Sequence, residues 1–316
     1  MADVLVLSPS FGKFSKRPFE LMESLGHTPR SPSVPSPLTS AQLQAEIGDA
    51  EALIVGLDHV DAAAIAAGPR LKAIAKHGVG VDNIDVAAAS ARGITVLNTP
   101  GANRSAVADL VFGLLLAVTR NIVKAHESVT AGKWENFHGP ELGGKTIGIV
   151  GFGRIGQEVA RRAHGFGMKV LAYDPYLEPQ VFFEAAAEHC HDLDDLIERS
   201  NVVTLHLPGS GEVLLDSDRL ARLPRGAVVV NAARGDLVDE HAVRAALDSG
   251  QLGGYAADAF AHEPPTGSPL LGAPHSVFTP HIGAFTDRAN EIMGTLVVDG
   301  IAAVLDGREP AHPVKP

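Results

Sequence analysis

Cysteine is nearly missing from this chain. Cys190 is the only one in 316 residues, so an intrachain disulfide is excluded and a reducing compartment, the cytoplasm, is the expectation. Positive charge is also short: 26 Lys and Arg stand against 37 Asp and Glu, a formal net charge of −11. That balance argues against non-specific nucleic-acid binding, which needs a basic face. An anionic substrate would need a local cationic pocket against a repulsive background. Long apolar runs are lacking as well. No stretch approaches the roughly 20 apolar residues of a membrane span. Met1 to Leu7 has neither a basic leader nor a long apolar core, so no signal peptide is expected. There is no repeat of fixed period and no low-complexity tail.

What the chain does have is a globular composition. It is 45% hydrophobic and 20% charged, which supports a real core, and its length suggests two domains. Short apolar runs alternate with helical-period segments. Those that read as buried strands are Val4–Leu7, Ala52–Val55, Leu71–Ala75, Thr95–Leu97, Thr146–Val150, Lys169–Tyr173, Val202–Leu207, Ala227–Asn231, Gly254–Ala259 and Ser276–Thr279. Each is bounded by turn-forming residues, the pattern of parallel sheets built from βαβ units. Pro29, Pro32, Pro35 and Pro37 make their segment a loop or an edge strand, because proline cannot donate to a sheet ladder. A long helix is expected from Ser105 to about Glu127. It is apolar nearly all round, so it must be buried on most sides, in an interdomain spine or a dimer interface.

The sharpest local signal is Thr146-Ile-Gly-Ile-Val-Gly151-Phe-Gly153-Arg154-Ile155-Gly156. It follows an apolar strand and opens a helix, expected from Gln157 to about Phe166. A second strand follows and closes on Asp174. Gly151 permits the tight turn, Gly153 lets the backbone approach a pyrophosphate, and Gly156 lets helix and strand pack closely. The helix N-terminus offers free N–H groups to phosphates. Asp174 can accept from ribose hydroxyls and would repel a 2′-phosphate, so NAD is favoured over NADP.

Three further motifs carry a resemblance: Asn231-Ala-Ala-Arg234-Gly235-Asp-Leu-Val-Asp-Glu240, Asp258-Ala-Phe-Ala-His-Glu263-Pro264 and Thr279-Pro280-His281-Ile-Gly283. With them goes Lys76-His77-Gly78-Val79-Gly80-Val-Asp82-Asn83-Ile-Asp85. In order and setting they resemble the D-isomer-specific 2-hydroxyacid dehydrogenase family, and in the last segment its phosphoglycerate dehydrogenase-like members. The resemblance covers nearly the whole chain. It implies an α/β fold of two Rossmann-like domains with parallel sheets and an active-site cleft between them. The substrate-binding (catalytic) domain would be discontinuous, 1–100 plus 286–316, and the NAD-binding domain would span 101–285. A last helix from about Thr286 to Leu305 would carry the chain back. Family members are usually dimers, so a homodimer through the 101–127 helix region is expected.

The resemblance also implies roles. Arg234 would hold the substrate, its guanidinium fork suiting a carboxylate or keto oxygen. His281 would be the proton donor in reduction and acceptor in oxidation, with Glu263 as its partner. Cofactor contacts are expected from Gly151, Gly153, Arg154, Ile155, Gly156, Asp174, Leu207, Pro208, Ala232, Asp258 and Gly283. For Asp258, holding the nicotinamide amide stands beside capping a strand end. Substrate contacts are expected from Lys76, His77, Gly78, Val79, Gly80 and Asn103. Backbone N–H groups of this loop would face a carboxylate, glycines permitting close approach. Lys76 and His77 either add positive charge or are solvated, and Asn103 either faces the cleft or forms a simple turn.

The pattern is not complete. After the strand Ala52–Val55, where phosphoglycerate dehydrogenases usually carry an arginine, the loop reads Gly56-Leu57-Asp58-His59-Val60. An acid there, facing a phosphate, would count against 3-phosphoglycerate. The run Pro208-Gly209-Ser210-Gly211-Glu212-Val213 suggests a looser cofactor contact. His189-Cys190-His191 reads as a surface turn, since a tetrahedral metal site needs about four placed ligands. Two other functions stay open: an NAD-sensing binding protein of the same fold, and a dehydrogenase acting on formate, a phosphorus oxyanion or a phosphonate.

Overall fold

The computed structural model describes residues 2–209 and 211–315. The chain forms two compact units, one reaching Asn103 and resuming at Ala284, the other Arg104–Gly283. In the first, the order is β1 (Ala2–Val6), α1 (Arg17–Ser24), β2 (His27–Arg30), α2 (Ser40–Ile47), β3 (Ala52–Val55), α3 (Ala62–Ala67), β4 (Ala73–Lys76), α4 (Val86–Ala91) and β5 (Thr95–Leu97). Its parallel sheet runs β2-β1-β3-β4-β5. The proline-rich segment thus begins in an edge strand, as Pro29 allows. The inner strands are buried on both faces: Leu5, Leu53 and Ile74 pack one way, Val4, Ile54 and Ala73 the other. This is why β3 reads as an unbroken apolar run rather than an alternating one. Asp61 and Asp85 accept the amides of Ala64 and Ala88, each at 2.8 Å, and so start α3 and α4.

The second unit contains α5 (Arg104–Thr119), α6 (Ile122–Thr130), β6 (Thr146–Val150), α7 (Arg154–Gly165), β7 (Lys169–Tyr173), α8 (Pro179–Glu184), β8 (Glu188–His189), α9 (Leu193–Arg199), β9 (Val202–Leu205), α10 (Ser217–Arg222), β10 (Ala227–Asn231), α11 (Glu240–Asp248), β11 (Leu252–Ala257) and β12 (Ser276–Phe278). Its parallel sheet runs β12-β11-β10-β9-β6-β7-β8, the doubly wound order with the reversal between β6 and β9. The chain then returns to the first unit through α12 (Asp287–Leu305), capped by Thr286 Oγ1 on the Ala289 amide. Val297, Val298 and Ile301 of α12 pack on the Val4–Ile54 face.

Three expectations change. The helix expected over 105–127 is two helices, α5 and α6, bent by 62°. Asn121 at the break is left-handed, φ 52°, and its side chain donates to His138 O. The backbone at Gly139 lies so near Thr119 O that a Cβ there would stand 1.9 Å from it; the returning chain therefore occupies the path of a straight helix. Among the described residues no single helix is long and apolar enough to cross a membrane. His189 belongs to the short edge strand β8 rather than a turn, and α7 begins at Arg154 rather than Gln157.

Candidate active site

In the second unit the motifs converge because they all follow carboxyl ends of strands. Gly151 follows β6, Asp174 follows β7, His206 to Pro208 follow β9, Arg234 follows β10, Asp258 follows β11 and His281 follows β12. In an open parallel sheet this edge, near the strand-order reversal, is where ligands bind.

The glycine turn fits a dinucleotide. Gly151 has φ 89°, and a Cβ on it would lie 2.8 Å from His206 C and O. A Cβ on Gly156 would stand 2.3 Å from Gly151 O, so α7 and β6 can approach only without it. Gly153 has nothing within 4 Å of its missing Cβ and caps α7 with no side-chain acceptor. A side chain there would fill the open space, and the amides of the first turn, those of Arg154, Ile155 and Gly156 among them, have no side-chain cap to compete with a phosphate. Asp174 is half-buried; its carboxylate accepts from Phe152 N at 3.0 Å and Tyr176 N at 3.1 Å, which aims it beside the turn. His206 bonds Thr204 Oγ1 through Nε2 at 3.0 Å, and burial drives its pKa down to about 3. Leu207 and Pro208 follow it at the strand end. Gly211 N donates to Asp236 Oδ2 at 2.9 Å, and Gly209 packs against the same carboxylate. This loop is thus tied to the arginine motif; Ser210 lies outside the described residues.

The structure brings Arg234, Glu263 and His281 together. His281 Nδ1 lies 2.9 Å and 3.1 Å from the two Glu263 carboxylate oxygens. Burial works against the Glu263 carboxylate, yet the His281 hydrogen bond and charge, the Phe260 amide and Arg234 together hold its pKa below the ordinary range. Glu263 Oε1 also accepts the Phe260 amide at 3.1 Å. Arg234 Nη1 donates to Ala233 O at 2.8 Å. His281 is left-handed, φ 54°, an uncommon state for a residue with a Cβ.

Around this triad stand residues whose role the motifs alone did not disclose. Asp258 straddles the histidine: Oδ1 accepts Thr279 Oγ1 at 2.6 Å and Ile282 N at 2.8 Å, and Oδ2 accepts Gly283 N at 2.8 Å. Burial raises its pKa against those donors. Through these bonds Asp258 braces the loop that follows β12. Asn231, fully buried, donates to Arg234 O at 2.8 Å and accepts Ala233 N at 3.1 Å. Glu240 accepts Ala261 N at 3.1 Å and Ser268 Oγ at 2.6 Å, pinning the loop that carries Glu263. Ala232 is half-buried between Asn231 and Ala233. The available signal was position: each polar residue sits where a strand ends and backbone groups lose their ladder partners.

In the first unit, the loop after β4 has its carbonyls occupied: Thr99 donates to Gly78 O from N and Oγ1, and Asn98 to Val79 O. Among the described residues no backbone carbonyl accepts from the amides of Gly78, Val79 and Gly80. Lys76 is buried, Nζ bonding Gly56 O at 2.6 Å and Asn83 Oδ1 at 2.7 Å. His77 is turned inward to Ser8 and Ser10 hydroxyls, each at 3.2 Å. Burial takes its pKa to about 4, so it brings no charge at neutral pH; that option is withdrawn. Asp58 is fully buried and accepts Leu38 N at 2.8 Å. It faces the protein rather than a ligand, so repulsion by Asp58 is no argument about substrate. Asn103 is half-buried with its Oδ1 enclosed and unbonded among the described residues.

Residues 112–283 match the family described as D-isomer specific 2-hydroxyacid dehydrogenase, NAD binding domain. The chain is 39% identical over 312 residues to the D-3-phosphoglycerate dehydrogenase of Methanocaldococcus jannaschii, covering 97% of this chain and 58% of that protein. It is 42% identical over 272 residues to the hydroxypyruvate reductase of Thermotoga maritima, covering 84% and 88%. The chain spans about half the length of the phosphoglycerate dehydrogenases it matches. Among solved structures it resembles the TT0316 protein of Thermus thermophilus, with TM-score 0.88, 37% identity and coverage of 99% and 100%. It also resembles the apo D-lactate dehydrogenase of Escherichia coli, with TM-score 0.88, 25% identity and 100% of both chains.

Proposed function

The chain belongs to the D-isomer-specific 2-hydroxyacid dehydrogenase family, and from that premise we propose that it interconverts a small 2-hydroxy acid and its 2-oxo acid with NAD(H). The observation that carries this reading is the His281–Glu263 pair at 2.9 Å, beside Arg234. Gly151, Gly153, Gly156 and Asp174 would hold the dinucleotide, which when bound supplies or accepts the hydride. Arg234 binds the carboxylate or the keto oxygen and favours negative charge there. Glu263 takes the Nδ1 side of His281, which leaves Nε2 facing the reaction. In reduction, imidazolium Nε2–H gives its proton to the carbonyl oxygen; in oxidation, neutral Nε2 takes it back. The ionised Glu263 stabilises the imidazolium and fixes the ring. Backbone amides of residues 78–80 are assigned to substrate carboxylate recognition, and Lys76 to their support.

The preferred substrate class is an unphosphorylated 2-oxo acid of hydroxypyruvate size. The loop 56–60 supplies no guanidinium for a phosphate, and the hydroxypyruvate reductase is matched over 88% of its length. A homodimer is part of the reading: Ile122, Val123 and Val129 of α6, and Trp134 beyond it, are exposed, an apolar surface suited to a second copy. Cys190 is a buried thiol, burial first pushing its pKa to about 11, in keeping with a cytoplasmic location. The test is NADH oxidation by the purified chain with glyoxylate, hydroxypyruvate, pyruvate, phosphohydroxypyruvate and phosphonates, beside His281→Ala. Turnover of an unphosphorylated acid, lost in His281→Ala, is expected; preference for phosphohydroxypyruvate would overturn the substrate class, and turnover surviving in His281→Ala would overturn the mechanism.

A further inference from the structure

Four rings run from the glycine turn to the edge of the second unit's sheet. Phe152 stacks on Phe182 of α8 with centroids 5.0 Å apart and planes within 8°. Phe182 stacks on His189 of β8 at 3.8 Å and 8°. His189 meets His191 at 4.2 Å, tilted by 54°. The two phenylalanines are buried, His189 is half-buried and His191 is exposed. Packing accounts for the phenylalanines. The imidazoles stand where charge matters, because β8 pairs beside the end of β7 and Asp174 acts on His189.

Strand β8 pairs with β7 in parallel, Leu171 opposite Glu188 and Ala172 opposite His189. The Cys190 amide continues the ladder by donating to Ala172 O at 2.9 Å. The strands end at Tyr173 and His189; this register continued two residues further would set His191 level with Asp174, one strand spacing of about 4.8 Å away. Side chains alternate along β7: Leu171 and Tyr173 pack with one core cluster, Val170 and Ala172 with the cluster holding Phe152 and Phe182. Alternation therefore puts Asp174 on the face of Phe182, where His189 stacks and His191 meets it. His191 also borders, with Tyr173, Leu193 and Val213, a cavity of about 390 Å³ at this end of the sheet.

We propose that the His189–His191 pair is a second determinant of which dinucleotide this end accepts, making the exclusion of a 2′-phosphate by Asp174 depend on pH. The inference rests on the dinucleotide reading above. Asp174 alone repels a 2′-phosphate at every pH where it is ionised. Burial first, and His191 next, hold His189 below the ordinary imidazole range, with Asp174 opposing; His189 therefore gains its charge only as pH falls. The added charge lies on the carboxylate's own face and partly cancels it. The other charged groups near the pair are held by partners of their own or stand at the cavity. Glu188 is bound to Arg199. Asp194, at the start of α9, is bound to Arg219 of α10. Asp192 caps α9 through the Asp194 amide, and Glu212 borders the cavity from the loop after β9.

The test is equilibrium binding of NADH and NADPH to the purified full chain, read by nucleotide fluorescence, at about pH 8 and about pH 5.5, on either side of imidazole titration. The proteins are the wild type, His191→Gln and the double variant His189→Gln/His191→Gln, each checked for fold by circular dichroism. A 2′-phosphate itself takes up a proton near about pH 6, so the variants measure that contribution and the difference belongs to the histidines. In the wild type the ratio of the NADPH Kd to the NADH Kd should narrow on acidification by at least about threefold more than in the double variant, as expected for one charge acting near a surface. His191→Gln, whose replaced ring is exposed, should fall between them even if loss of His189 disturbs the stack. Equal narrowing in all three proteins, or none in the wild type, overturns the inference and leaves the dinucleotide reading standing. No NADH binding at either pH overturns both.

Discussion

At the scale of single residues, the site works by what each charge is set against. Glu263 is partly withdrawn from water, which alone would raise its pKa, but His281, the Phe260 amide and Arg234 reverse the sign. A lowered carboxyl pKa means the group is ionised throughout the neutral range, and its support for the imidazolium is lost only as pH falls through that lowered value. Glu263→Gln removes the charge and keeps the shape. The alkaline limb of the reduction rate should then move to lower pH by about one unit, roughly 1.4 kcal/mol of lost imidazolium stabilisation, as read from kcat/KM against pH. An unmoved limb would mean that Glu263 only positions the ring. Arg234→Lys keeps the charge and loses the fork. It should raise KM for the oxo acid by about 10- to 100-fold, the worth of a charge-assisted hydrogen bond, while the NADH Kd from fluorescence titration stays the same. A parallel loss of NADH affinity would instead assign Arg234 to the loop's fold.

Elements matter here through the loops that leave them. The arginine loop and the glutamate loop are in backbone contact at Gly235, where a Cβ would stand 1.9 Å from Phe260 C. Gly235→Ala must push the two loops apart, a cost of about 1–3 kcal/mol by the measure of overpacked cores. It should lower the thermal midpoint and reduce turnover together; an active, equally stable variant would show that the loops move independently. Asp258 joins the end of β11 to the loop after β12. In Asp258→Asn the new amide cannot accept from Thr279, Ile282 and Gly283 at once, so a buried donor is left unpaired at about 1–3 kcal/mol. His281, held at φ 54°, should lose its set position, with kcat falling at least about tenfold. The pH limb should stay where Glu263 puts it, and its displacement would assign Asp258 an electrostatic role.

For the whole molecule, the exposed apolar side chains of α6 and Trp134 lead to the expectation of a dimer, twice the chain mass of 33.0 kDa, by light scattering. Val129→Glu would place a charge in that surface and should shift the equilibrium toward monomer; a wild-type monomer at micromolar concentration would exclude the dimer. Most of the architecture was legible in the order of the residues. Buried parallel strands must be apolar on both faces, and β3, β5, β6, β7 and β10 stand where their apolar runs stand, residue for residue. Glycines 151, 153 and 156 announce the turn, and at 151 and 156 a Cβ would collide with backbone. The motifs for Arg234, Glu263 and His281 were legible because each follows a strand, and a parallel sheet gathers the carboxyl ends of its strands on one edge. Other features depended on contacts between residues far apart in the chain. The straight helix from 105 to 127 was broken by chain returning at Gly139, which local periodicity does not register. Asp58 and His77 read as ligand-facing and are buried, because the direction of a side chain is set by what packs around its loop. The brace formed by Asp258, and the stack that sets His189 against Phe182 and His191, follow from strand register and packing, which exist only once the strands have paired.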